Sequence, residues 1–524
     1  MILPLLIIIP FAGGLLAWVV ARESETAARW VALVATLAQG ALAVGMWIAA
    51  APLDGLVIDG AWLAETHARW IPQVGISFHL GIDGISLLLV LLTSLLGAVS
   101  IVASWREVDE AVGLFHLHLM LVLTGVTGVF LALDMFLFYL FWELMLIPMY
   151  FLIDLWGHED RHYAAVKFFI FTQLGGLLML VGILGLVFVH HSATGVVTFD
   201  YLQLLGTGLG PRLGMALMLA FFTGLAFKLP AVPLHVWLPD AHTQAPTAGS
   251  VLLAGLLLKT GAYGMIRFLV PLFPDAAIAF SPVAMWLGVA GIIYGALLAF
   301  GQTDLKRLVA YTSISHLGFV LLGVFAWNRL ALQGAVMQML CHGVSTGALF
   351  VIAGSLQERL GTRSMAKMGG LWSRAPRIGG VAMFFALASL GLPGMGNFIG
   401  EFLVLVGTWS VNVAAAAVAI LGLVASAVYA LVMMEKVFFG EIDESERSVA
   451  DFGGREMVVM SVMMAVIIWL GLMPQPVLDT SAPAVQAMQR SAAGYREGRA
   501  EAPSRVTQDG AETVRIAEVE DELR

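Results

Sequence analysis

The sequence predicts an all-α polytopic protein that crosses a membrane about 14 times. Three observations predict this. First, 60% of the 524 residues are hydrophobic and only 12% are charged, with a mean hydropathy of +0.90. A soluble globular domain averages about 45–50% apolar and about 25% charged, so too little polar surface is left to cover a water-soluble body of this size. Second, the apolar residues fall in runs long enough for helices, which need about 20 residues to span lipid. The alternating segments of about 10 residues that build a membrane barrel are not found. Third, lipid offers no backbone partners, which leaves only helices and closed barrels as spanning structures.

In chain order the expected span cores are 2–21, 29–50, 80–104, 112–132, 134–155, 163–190, 212–229, 243–270, 281–300, 305–326, 330–357, 379–408, 411–438 and 456–474. The opening MILPLLIIIPFAGGLLAWVVA has no basic leader and no small-residue cleavage site, so it is read as the first span and not as a signal peptide. Residues 51–79 read as a loop rich in Trp, Pro and Gly, with Trp62, Trp70 and Pro72 suited to a membrane interface. Residues 480–524, rich in Ala, Arg, Glu, Asp and Ser, read as a solvated polar tail with room for a partly helical stretch.

Basic residues give the orientation. With the N-terminus outside, the loops assigned to the cytoplasm hold fifteen: Arg22, Arg29, Arg106, Arg161, Lys167, Lys306, Arg307, Arg359, Arg363, Lys367, Arg374, Arg377, Lys436, Arg447 and Arg455. The opposite loops hold Arg69, Arg212 and Arg329. That asymmetry follows the positive-inside rule, and an even number of spans returns the C-terminus to the outside.

Two spans are interrupted. The seventh runs FKLPAVPLHVWLP, with Pro230, Pro233 and Pro239, and the twelfth runs LGLPGMGNFIGEF, with Pro393, Gly391, Gly394, Gly396 and Gly400. Proline removes a backbone donor and clashes with the preceding turn. Irregular backbone at membrane depth survives only beside protein or a wet cavity. Breaks five spans apart point to two internal repeats, and the odd offset makes them inverted.

Few ionisable groups remain inside the spans: Glu143, Lys228, Lys259, His316, His342 and Glu401 are the central ones. A charge at the bilayer centre costs about 2.5–3.5 kcal/mol on insertion scales, so six of them must face the bundle interior, pair or meet water. Glu143, in LFYLFWELMLIPMYF, is too short to reach the interface. Lys228, beside the first break, either caps freed carbonyls or carries a proton. Burial lowers a lysine pKa and a nearby carboxylate raises it, so Glu143 is the natural partner that sets its charge. Lys259, in LLLKTGAYG, lies among small residues that also suit close helix packing. His316, in YTSISHLGFV, and His342, in MLCHGVSTGALF, sit among hydroxyls, and imidazole titrates near neutral pH. Glu401 closes the second break as a terminal carboxylate acceptor.

Other chemistry is not expected. One cysteine, Cys341, excludes an internal disulfide, a cysteine zinc site and an iron–sulfur cluster held by this chain alone. His190–His191 and the His116/His118 pair have no further ligand at a spacing that closes a site, so no metal is expected. There is no phosphate loop or dinucleotide fingerprint, and nothing in the net charge of −9 points to nucleic acid.

The stretches GIDGISLLLVLLTSLL, FWELMLIPMYFLI, KLPAVPLHVWLPDAHTQAPTAGSVLLAGLLLKTGAYG, DLKRLVAYTSISHLGFV and FIGEF resemble the antiporter-like subunit M family of NADH:quinone oxidoreductase, respiratory complex I. The resemblance covers most of residues 1–475. It implies 14 helices with two inverted five-helix repeats, each with a broken helix. The implied division is 1–111 as the first three helices, 112–270 and 281–438 as the repeats, 439–475 as helix 14, and 476–524 as tail. By motif, Glu143, Lys228, Lys259, His316, His342 and Glu401 correspond to the family's proton relay, and the acidic Glu401 favours subunit M over relatives with lysine there. A proton from the cytoplasm would reach Lys259 or the histidines, pass Lys228 and leave near Glu401. The resemblance also implies a multi-pass place in the bacterial inner membrane. The other membrane-arm subunits, especially the two further antiporter-like ones, would be neighbours, and FMN, iron–sulfur clusters and quinone would be held by other subunits. Two alternatives stay open: a subunit of a multisubunit sodium/proton antiporter, and a non-transporting membrane scaffold.

Overall fold

A computed structural model describes residues 2–50, 62–439 and 449–500. Twelve of its helices are long and apolar enough to cross a membrane: Ile2–Val20, Glu25–Ala49, Gly84–Ala103, Val112–Leu131, Met135–Trp156, Arg161–Thr194, Thr247–Leu272, Pro274–Phe300, Leu305–Phe325, Arg329–Leu360, Val413–Phe439 and Gly454–Leu472. They coincide with twelve of the expected spans. The other two expected spans are split as their prolines and glycines require, into Pro211–Lys228 with Leu238–Gln244, and Pro376–Ser389 with Gly396–Trp409. Spans are numbered one to fourteen below on that basis.

Local sequence sets the helix starts. Asp83, Asp134, Asp304, Asn328 and Asn412 each stand just before a span and accept hydrogen bonds from first-turn amides. Each such cap is worth about 1 kcal/mol. Spans eight and eleven are wholly enclosed, whereas spans one, two, thirteen and fourteen leave most of their surface to the surroundings. The buried ionisable groups therefore have a protein-lined centre to occupy.

Loop contacts sort the connections onto two faces. On one, Leu80 bridges to Ala132, Asp134 to Asp200, and Asn328 bonds to Ser410. On the other, Arg29 reaches the Val108 carbonyl, Trp156 that of Glu110, Asp304 bridges to Ser364, and Arg359 reaches the Ala450 carbonyl. This alternation is what successive membrane crossings produce.

Two expectations need correction. The loop expected over 51–79 contains a β-hairpin, β1 (Ala64–Ile71) antiparallel to β2 (Ile76–Ile82). Residues 51–61 lie outside the described residues. The polar tail expected after Pro476 begins as a helix, Gln475–Ala500, laid against the bundle. Val477, Ser481, Ala484, Val485 and Met488 bury one face of it, and Thr480 accepts a hydrogen bond from Trp47 at 2.8 Å. Asp479 stands exposed away from that buried face, so the start of the tail is packed on one side. Residues 501–524 lie outside the described residues.

Candidate functional site

The first break exposes backbone groups that the surrounding residues satisfy. Span seven ends at Lys228, and Trp237 Nε1 donates to the Phe227 carbonyl at 2.9 Å. Lys228 is therefore not needed to cap that end. Its Nζ is buried without a hydrogen-bond partner and lies 5.0 Å from the Trp142 ring and 6.0 Å from that of Phe168. Glu143 follows Trp142 in span five and acts on Lys228 through space, with no direct ion pair. Glu143 as a residue is half-buried, its Oε1 enclosed and its carboxyl beside Tyr139 and Gln173. It lies against span six at Gly176, where any added Cβ would collide with its Oε1.

Span eight is regular around Lys259 but π-helical on either side, over Leu253–Leu257 and Met265–Leu269. Widened turns misalign the backbone ladder and concentrate at functional sites. Here the Ala254 carbonyl accepts from Lys259 Nζ, five residues on. The same Nζ stands 2.6 Å from His342 Nδ1 in span eleven. The rings of His342 and His316 are 5.7 Å apart. His316 Nδ1 meets Glu401 Oε1 at 2.7 Å, while Ser389 and Tyr429 hydroxyls lie 3.1 and 3.0 Å from its Nε2. Gln338 Nε2 donates to the same Glu401 oxygen at 2.8 Å. Every one of these side chains is at most 3% exposed.

Of the six expected residues, four form one cluster across spans eight, ten, eleven and twelve. Glu143 and Lys228 form a separate, unbonded pair on spans five and seven. The cluster connects Lys259 to Glu401 without Lys228, so the expected passage through Lys228 does not follow the hydrogen bonds.

His316 can work in either protonation state. When neutral it donates from Nδ1 to the carboxylate and accepts a hydroxyl at Nε2, and when charged it donates from both nitrogens. His342 Nε2, Gln338 Oε1, Asn397 Oδ1 and Glu401 Oε2 are buried without protein partners. Buried polar atoms of this kind are where internal water binds.

Sequence reasoning missed a surface cleft and the buried groups behind it. A cleft of about 620 Å³ is lined by Glu107, His158, Asp304, Gln357 and Arg363, among others. Behind the lining residue His158, buried Lys306 Nζ donates to the Ala245 carbonyl at 3.0 Å and lies 3.3 Å from His158 Nε2. Burial, then the Lys306 and Arg363 cations, lower the His158 pKa to about 3, so this imidazole is a neutral acceptor. Beyond it His242 stacks on Phe350 at 4.5 Å, neither ring nitrogen having a partner, within electrostatic reach of both Lys306 and Lys259. His242 lies in the polar stretch PDAHTQAPT that follows the break, so it reads as loop.

Residues 132–428 match the family model described as NADH:quinone oxidoreductase/Mrp antiporter, transmembrane. NADH-quinone oxidoreductase subunit M of Pseudomonas aeruginosa is 53% identical over 94% of this chain and 98% of its own length. Subunit M of Escherichia coli K12 is 50% identical with the same coverage. A chain of respiratory complex I from Thermus thermophilus with bound NADH superposes with a TM-score of 0.83 at 30% identity, over 94% of this chain and all of that one. On these similarities, and on a buried lysine–histidine–glutamate cluster between broken helices, the chain belongs to the NADH-quinone oxidoreductase subunit M family of antiporter-like membrane proteins.

Proposed function

We propose that this chain carries protons across the bacterial inner membrane as a membrane-arm subunit of NADH:quinone oxidoreductase. Electron transfer and its cofactors lie in other subunits, and this chain converts their signal into proton movement. The observation that supports this best is the contiguous buried line Lys259–His342–His316–Glu401.

Protons enter at the Lys306 cleft, on the face that carries Arg359, Arg363 and most other loop cations and is therefore cytoplasmic. They pass His242 to Lys259, move through His342 and His316 with help from internal water, and leave by Glu401. Lys228 and Glu143 act as the control element. A carboxylate near an unpartnered ammonium favours its charged form, and Lys228 lies one span from Lys259. Glu143, half-buried at an edge of the bundle, is placed to respond to a neighbouring antiporter-like subunit. Residues 112–270 and 281–438 would be the two inverted repeats, with the control pair in the first and the acceptor in the second. A scaffold would have no use for six costly buried groups.

The test replaces Lys228 with Arg in the intact complex. Guanidinium is effectively always protonated, so assembly should persist while proton pumping by membrane vesicles falls sharply, with or without Na⁺. Wild-type pumping by Lys228→Arg would remove deprotonation of this side chain from the mechanism. Pumping that requires Na⁺ in the wild type would favour the sodium/proton antiporter reading.

A further inference from the structure

Far from the buried line, on the face that carries the hairpin, three potential metal ligands converge. His67 in β1 and His79 in β2 are direct cross-strand partners, their rings 4.8 Å apart and edge-to-face. Asp200, in the connection between spans six and seven, meets His79 Nδ1 through its Oδ2 at 2.6 Å. One ligand atom from each of the three lies within 4.8 Å of the others.

The surroundings are arranged as a metal site requires. Asp200 Oδ1 is tied to the amides of Leu202 and Gln203, at 2.9 and 3.2 Å, which fixes the carboxylate with Oδ2 turned toward His79. His79 is 3% exposed, and its second nitrogen, Nε2, stands 2.8 Å from Glu65 Oε1. A carboxylate behind a ligating histidine fixes its tautomer and raises its basicity. With Nε2–H donating to Glu65, the position between His79 Nδ1 and Asp200 Oδ2, which a proton fills at 2.6 Å, is the one a metal ion would take by displacing that proton. Donors on one tetrahedral zinc stand roughly 3.3 Å apart at bond lengths of about 2.0–2.1 Å. Oδ2 and Nδ1, now 2.6 Å apart, need to part by roughly 0.7 Å to reach that separation, and exposed His67 can turn in.

We propose that His67, His79 and Asp200 form a zinc site, with water in the fourth position and Glu65 orienting His79. Two imidazoles and one carboxylate suit zinc over calcium or magnesium, which prefer all-oxygen shells. The bound ion would clasp the hairpin to the connection after span six. The sequence hides the site because its ligands come from segments more than a hundred residues apart, and the His pair shows only once the strand register is known.

The test uses the intact complex, purified without a polyhistidine tag and stripped by a chelator. Zinc binding is titrated against a chromogenic competitor, and Co²⁺ is substituted as a spectroscopic probe. The wild type should hold one tight zinc more than His67→Ala and should show the strong visible absorption of tetrahedral Co²⁺, absent from the variant. Glu65→Gln should keep the stoichiometry and bind about 10–100-fold more weakly, the usual effect of losing such an orienting partner. His67 is exposed, so its replacement leaves folding intact, and an unchanged melting temperature checks this. Equal zinc content and equal Co²⁺ spectra in wild type and His67→Ala would overturn the proposal.

Discussion

Lys228 and Lys259 are both buried lysines on neighbouring spans, yet their surroundings are opposite. Lys259 is bonded to a carbonyl and to His342, and through the histidines it is joined to Glu401. Lys228 faces aromatic rings with no hydrogen-bond partner, and its carboxylate acts from a distance. A line bonded at both ends, with only the 5.7 Å step between the His342 and His316 rings to bridge, can pass a proton with little motion. An unbonded ammonium can change its charge with little rearrangement, because no hydrogen bond has to break. The first arrangement suits conduction and the second suits control.

The sharpest way to break that comparison is to remove a charged member from each region. Glu401→Ala leaves His316 Nδ1 and Gln338 Nε2 buried without their acceptor. Losing one partner of a buried pair costs about 3–5 kcal/mol, so blotting should show much less assembled complex as well as lost pumping. Lys228→Met keeps a similar volume and orphans nothing. Assembly should stay near wild type while pumping falls severely, and a matching assembly defect would show that Lys228 is a structural partner after all.

A smaller effect is expected from Gly391→Ala. Gly391 has φ of +79°, and a Cβ there would sit 3.2 Å from Glu401 Oε2. Backbone strain of this kind costs about 1–3 kcal/mol. The complex should melt lower and pump less, and an unchanged melting curve would mean the second break is more yielding than its geometry implies.

The smallest effect is expected from Tyr429→Phe. Its hydroxyl is one of two beside His316 Nε2, and Ser389 remains. Loss of one such bond is worth about 0.5–1.5 kcal/mol, so pumping should drop only a few-fold. A larger loss would make Tyr429 a carrier in its own right.

Much of this was legible in the sequence. Hydropathy located the spans, and proline and glycine located both breaks, because lipid leaves the backbone so few choices. Glu143, Lys228, Lys259, His316, His342 and Glu401 stood out because a polar group in an apolar run carries a cost. Their grouping was not legible, since the Lys259–His342 contact joins residues 83 positions apart. The hairpin was passed over as loop, although AETHARWI and ISFHLGI flank a Pro-x-x-Gly turn. The terminal helix also left a trace: Val477, Ser481, Ala484, Val485 and Met488 recur at helical spacing, but the surrounding charges masked it. The cleft beside Lys306 depends on four connections meeting, which no local pattern reveals.

The central claim is that protons cross through the line from Lys259 to Glu401. It is tested most directly by counting protons pumped per NADH oxidised in proteoliposomes that contain equal amounts of assembled wild-type and Lys259→Met complex. Methionine fills similar space but cannot carry a proton, so the count should fall well below wild type. A count equal to wild type, at any rate of NADH oxidation, would contradict the account.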